Sequence, residues 1–123
     1  DKRSKKVLQL KENPNVSALF FDPEWLTQLR VEGVAHLEED EKTLSKTWNT
    51  ISIKARRDYT TLQDPDTEIP NPDYIKHLED HHHFTMLHIQ VFKVEYLRLK
   101  RPNHIRIGFT KENGKWEGSF LVP

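Results

Sequence analysis

The chain has no cysteine among its 123 residues, which excludes disulfides, thiolate-bound metal and a cysteine nucleophile, and is compatible with a reducing cytosol. It also lacks an excess of either charge: nineteen Lys and Arg balance nineteen Asp and Glu, with an isoelectric point near 7.2. Such a balance favours neither nucleic acid nor a membrane surface, so any anion has to be bound by a local arrangement of cations. No apolar run approaches the roughly 18 residues of a membrane span. The charged opening Asp1–Lys6 is followed by no signal-peptide apolar stretch. Glycine is scarce, four in all, and there is no Gly-rich phosphate loop, Gly-x-Ser-x-Gly, His-Glu-x-x-His or paired-carboxylate signature. No catalytic residue can be named on these grounds. The expectation is one soluble, cytoplasmic domain over residues 1–123 without nucleic-acid or membrane partners.

What is present reads as mainly β. From Leu29 the apolar residues Leu29, Val31, Gly33, Ala35 and Leu37 alternate with Gln28, Arg30, Glu32 and His36, the period-2 pattern of a half-buried strand. The preceding run Val16–Phe21 is rich in strand formers, and Asp22-Pro23-Glu24 signals a turn, so the two runs predict an antiparallel hairpin. Gln28 and Arg30 stand on its less apolar face, where a polar ligand could sit. Further strands are expected near 84–99, 104–110 and 115–121, the last two joined by Asn113-Gly114, a strong hairpin signal.

Helices are expected near 4–12, 40–50, 52–58 and 72–80. Ser4 suits an N-cap, Glu38–Glu41 supply carboxylates to the start of the second helix, Ser52 can cap the third, and Pro72 opens the fourth. Leu44, Trp48 and Ile51 form a stripe that predicts Trp48 as core. The Pro-containing stretch 62–72 reads as a loop. Asp80-His81-His82-His83 is the most conspicuous polar motif, yet consecutive residues at such a junction point in different directions, so no metal site is expected there. Lys5 and Lys6 at the first helix start could meet a phosphate, although cations oppose the helix dipole there and solvated lysines are the commoner outcome.

The order of pieces resembles a known family. Arg3-Ser4-Lys5-Lys6-Val7, Gln9-Leu10, Asn13-Pro14, Thr27–Gly33, Trp48 with Ala55-Arg56, Arg106, Trp116 and the closing Leu121-Val122-Pro123 are similar to the pyridoxamine 5′-phosphate oxidase-like flavoproteins, over essentially the whole chain. The resemblance implies an antiparallel FMN-binding split β-barrel, with FMN as cofactor in a cleft between the two subunits of a homodimer. It implies that Ser4, Lys5 and Lys6 hold the FMN phosphate and that Gln28 and Arg106 approach the flavin ring. It also implies that the chain begins within the phosphate-binding segment, without the family's earlier strands. The substrate-binding Tyr, Arg and Ser of the true oxidases fall here near Thr47, Ile51 and Ala55, and the Arg-x-His pair becomes Pro102 and His104, leaving His104 as the one weak substrate candidate. Two readings follow: an FMN-dependent oxidoreductase of unknown substrate, or a non-catalytic, stress-related flavin-binding module.

Overall fold

The computed structural model describes all 123 residues. Five strands form one antiparallel sheet in the order β1 (Asn15–Asp22), β2 (Thr27–Leu37), β3 (Leu87–Arg98), β4 (Ile105–Glu112) and β5 (Lys115–Phe120). Neighbours in the sheet are neighbours in sequence, so β1 and β5 are its edges. The helices are α1 (Lys5–Glu12), α2 (Glu41–Thr50) and the single turn α3 (Ile53–Arg56), which runs into a 3-10 turn at Arg57–Tyr59. Residue contacts divide the chain into two compact units, the first comprising Asp1–Pro14 with His36–His88 and the second Asn15–Ala35 with Ile89–Pro123.

In the second unit the expected hairpin forms, with Phe21 opposite Gln28 and Val16 opposite Gly33. The turn is made by Asp22, whose Oδ1 accepts from the amides of Glu24 and Trp25 at 2.9 and 3.1 Å. Gly33 and Ala35 are buried on the face predicted for them, Ala35 at 5% exposure. Gly33 is required by a close approach: a Cβ there would lie 2.6 Å from the Gln90 carbonyl oxygen on β3. At the far edge Asn113 and Gly114 both take positive φ, 49° and 79°, as the tight β4–β5 turn needs.

The first unit is held by backbone pairing as much as by packing. Val7 of α1 is its one buried apolar side chain. Leu44, Trp48 and Ile51 are half-buried rather than core, and Trp48 joins Tyr59, His82 and Phe84 in a ring cluster, stacked on His82 at 4.0 Å between centroids. Asp40 caps α2, its Oδ2 accepting from the Thr43 amide at 2.9 Å, and Ser52 caps α3.

The helix expected over 72–80 does not form. Only a 3-10 turn at Pro72–Tyr74 appears, opened by Asn71 Oδ1 accepting from the Asp73 amide at 2.9 Å. The residues beyond it are extended, because the Leu62 amide donates to the Lys76 carbonyl at 2.8 Å and the Leu78 amide to the Thr60 carbonyl at 2.7 Å. These long-range bonds satisfy backbone groups that a helix would have used internally, and a nine-residue helix is too short to resist the exchange. The third predicted helix is likewise shorter than 52–58, and Phe84–Met86 precede β3 rather than belonging to it.

Candidate functional site

The first turn of α1 presents an unusual number of free donors. Ser4 occupies the N-cap position, but its hydroxyl caps nothing. Its carbonyl accepts from Val7 and Leu8, while the Lys5 and Lys6 amides, the helix's first orphan donors, have no backbone partner. Lys6 is exposed and makes no ion pair, and Lys5 meets only Asp66, at a loose 3.7 Å with both side chains mostly solvated. Two ammonium groups, two amides and a hydroxyl thus share one turn, a donor set suited to a phosphate dianion.

The turn is held rigidly from behind. Arg3 forms ion pairs with Asp1 at 2.7 Å and Asp64 at 3.0 Å, and its guanidinium donates to the Thr61 and Leu62 carbonyls. The Lys2 amide donates to the His83 carbonyl at 2.8 Å, and the His83 amide to the Tyr59 carbonyl at 2.7 Å. Arg3 is therefore a fastener, whereas Lys5 and Lys6 remain available. Loss of solvent, with Lys2 and other cations nearby, pushes the His82 and His83 imidazoles below the ordinary histidine value of 6.5.

Gln28 and Arg106 lie in the second unit, on β2 and β4. Gln28 is half-buried, and its side-chain amide makes no hydrogen bond within the chain. Arg106 is committed: Nη2 donates to Glu95 Oε2 at 3.0 Å and Nη1 to the Val122 carbonyl at 3.2 Å, leaving a buried Nε without a partner. The same guanidinium holds the Glu95 carboxyl below the usual carboxylate range. Nothing in the sequence marks Glu95 as this partner, because β3 and β4 meet only in the folded sheet. His104, in the turn before β4, accepts the Lys100 amide on Nδ1 at 3.1 Å and so serves the turn itself.

No family model matches the sequence, and no curated protein matches it significantly. Solved structures do. A pyridoxamine 5′-phosphate oxidase-related, FMN-binding protein from Nostoc punctiforme superposes with a TM-score of 0.81 at 20% identity, covering 100% of this chain and 69% of that one. PhzG from Burkholderia lata, solved with tetrahydrophenazine-1-carboxylic acid, superposes with a TM-score of 0.77 at 18% identity, covering 99% of this chain and 65% of that one. The chain has the pyridoxamine 5′-phosphate oxidase-like split-barrel fold. At these identities the likeness is one of fold, and the split-barrel chain described here spans about two thirds of each neighbour's length. No helix in it is long and apolar enough to cross a membrane.

Proposed function

We propose that this split-barrel chain binds FMN and is an FMN-dependent oxidoreductase. The observation that carries the reading is the α1 turn, where the Ser4 hydroxyl, the Lys5 and Lys6 amides and both ammonium groups lack strong partners of their own. The FMN-binding neighbour from Nostoc supports the same choice of ligand. In this reading Ser4, Lys5 and Lys6 take the phosphate, and the free Gln28 amide hydrogen-bonds the ring. Arg106 contributes as one half of a neutral pair with Glu95 rather than as a net cation, so its effect on a reduced anionic ring is weaker than a lone guanidinium would give. Bound FMN would supply the electron transfer, and the chain's own residues anchor and orient it. The reaction takes place in the cytoplasm in this proposal, as the absence of cysteine allows.

The homodimer belongs to the same proposal. Along β1 exposure alternates only as far as Ala18; from Leu19 to Phe21 apolar side chains on both faces of an edge strand are open, with Phe20 at 58% and Phe21 at 60%. The chain exposes 9880 Å², whereas a folded monomer of 14.6 kDa exposes about 6900 Å². A second copy is the cover proposed for this surface, with the flavin at the subunit interface.

A second reading, a flavin-binding module without catalysis, is favoured by His104, whose Nδ1 is consumed by its own turn, and by Thr47, Ile51 and Ala55 at the substrate positions. Titration decides the cofactor. Lys5→Ala should weaken FMN by about one to two decades, as loss of a charge-assisted hydrogen bond implies. Riboflavin, which lacks the phosphate, should bind poorly and respond little to that change. Equal weakening of both ligands, or none, would overturn the site assignment. Reduction of bound flavin by a donor with turnover separates the enzyme from the module.

A further inference from the structure

A second set of charges that form no ion pair lies in a cleft of about 490 Å³ within the first unit. Arg57 lines it, and its guanidinium is fixed through one nitrogen: Nε donates to His77 Nε2 at 3.1 Å. A nitrogen that accepts from arginine carries no proton, so the neutral His77 ring carries its proton on Nδ1, which lies 3.1 Å from Thr60 Oγ1. The Thr60 hydroxyl donates in turn to the Arg57 carbonyl at 3.0 Å, closing the ring of bonds on Arg57 itself. Nη1 and Nη2 of Arg57 are left with no partner in the chain.

Two carboxylates, Asp58 and Asp73, line the same cleft, and neither forms an ion pair. Pro72 and Ile75 supply an apolar wall. A simple anion would meet both carboxylates, and a simple cation would meet the guanidinium. Only a ligand carrying both charges is matched by all three groups. A forked guanidinium with its terminal nitrogens free, and its stem already immobilised, binds a carboxylate at reduced entropic cost.

We propose that this cleft binds a small zwitterion of the amino-acid class, its carboxylate on the Arg57 terminal nitrogens, its ammonium on Asp58 and Asp73, and its apolar side chain against Pro72 and Ile75. The site is independent of the flavin reading. L-leucine serves as the probe, titrated into the full chain at millimolar concentration, with amide chemical shifts of Thr61, Ile75 and His77 recorded by NMR. Saturable shifts at these residues are expected. N-acetyl-L-leucine, without the ammonium, and L-leucinamide, without the carboxylate, should each bind at least about tenfold more weakly. Arg57→Ala should abolish the shifts, and Arg57→Lys, which keeps the charge and loses the fork, should weaken binding severalfold. Asp73→Asn should weaken leucine but not N-acetyl-leucine, an anion that the lost carboxylate repels. Absence of saturable shifts, equal binding of leucine and N-acetyl-leucine, or an Arg57→Ala protein that binds leucine like the parent would overturn the proposal. Arg57 is exposed, so its replacement leaves the fold intact, and a parent-like amide spectrum verifies this.

Discussion

Single residues divide by whether their chemistry is already in use. Ser4 and Asp40 occupy the same position on their helices, but Asp40 bonds the Thr43 amide and hydroxyl whereas the Ser4 hydroxyl caps nothing. Asp40→Ala should therefore lower unfolding free energy by about 0.5–2 kcal/mol in urea titration, while Ser4→Ala should leave stability nearly unchanged and weaken FMN instead. Gly33→Ala forces a Cβ against the Gln90 carbonyl and should cost about 1–3 kcal/mol. His82 and His83 give a pH dependence of definite sign. Their folded pKa values lie below the ordinary 6.5, so the unfolded chain binds more protons and stability rises with pH between the folded values and 6.5. Thermal melts should show stability falling as pH drops through 6.5 and levelling off once the folded values are passed. His82→Phe, which keeps a ring stacked on Trp48, should flatten part of that slope; an unchanged slope would assign the dependence elsewhere.

Elements formed where local signals agreed with each other. The β1–β2 hairpin has alternation on β2, strand formers on β1 and an Asx turn between them, and it appears with the expected face buried. The β4–β5 hairpin follows from Asn113-Gly114 alone. The segment 72–80 had a good start, Asn71 with Pro72, but nothing beyond it to sustain a helix against the partners offered by Thr60 and Leu62. Replacing Asn71 by Ala removes the side-chain bond to the Asp73 amide and leaves the backbone bond from the Tyr74 amide to the residue 71 carbonyl; the expected outcome is faster amide exchange at Asp73, with little change at Lys76, whose amide donates to Gln63 Oε1, and at Leu78, whose amide donates to the Thr60 carbonyl. The histidine run shows the same division, since His82 found an aromatic neighbour and His83 backbone partners, neither visible as a local pattern.

For the whole molecule, surface decides the outcome. Light scattering should give twice 14.6 kDa, and Phe21→Asp, placing charge on the open apolar end of β1, should shift the mass toward one chain and weaken FMN if the flavin needs both copies; a monomer that binds FMN as the parent does would refute the shared site. The β1–β2 and β4–β5 hairpins, the antiparallel sense and the face of β2 that is buried were legible in the sequence, because alternation and tight turns act between near neighbours. So were Ser4, Lys5 and Lys6, as the start of one helix. What only the tertiary structure decided are the pairings over long separations: Arg106 neutralised by Glu95, Arg3 spent on Asp64, His77 steadying Arg57, and the residues past Pro72 drawn into extended pairing. Each depends on which groups the folded backbone brings within hydrogen-bond reach, and with so few side chains fully buried, that hydrogen bonding rather than apolar pattern determines which charges remain free.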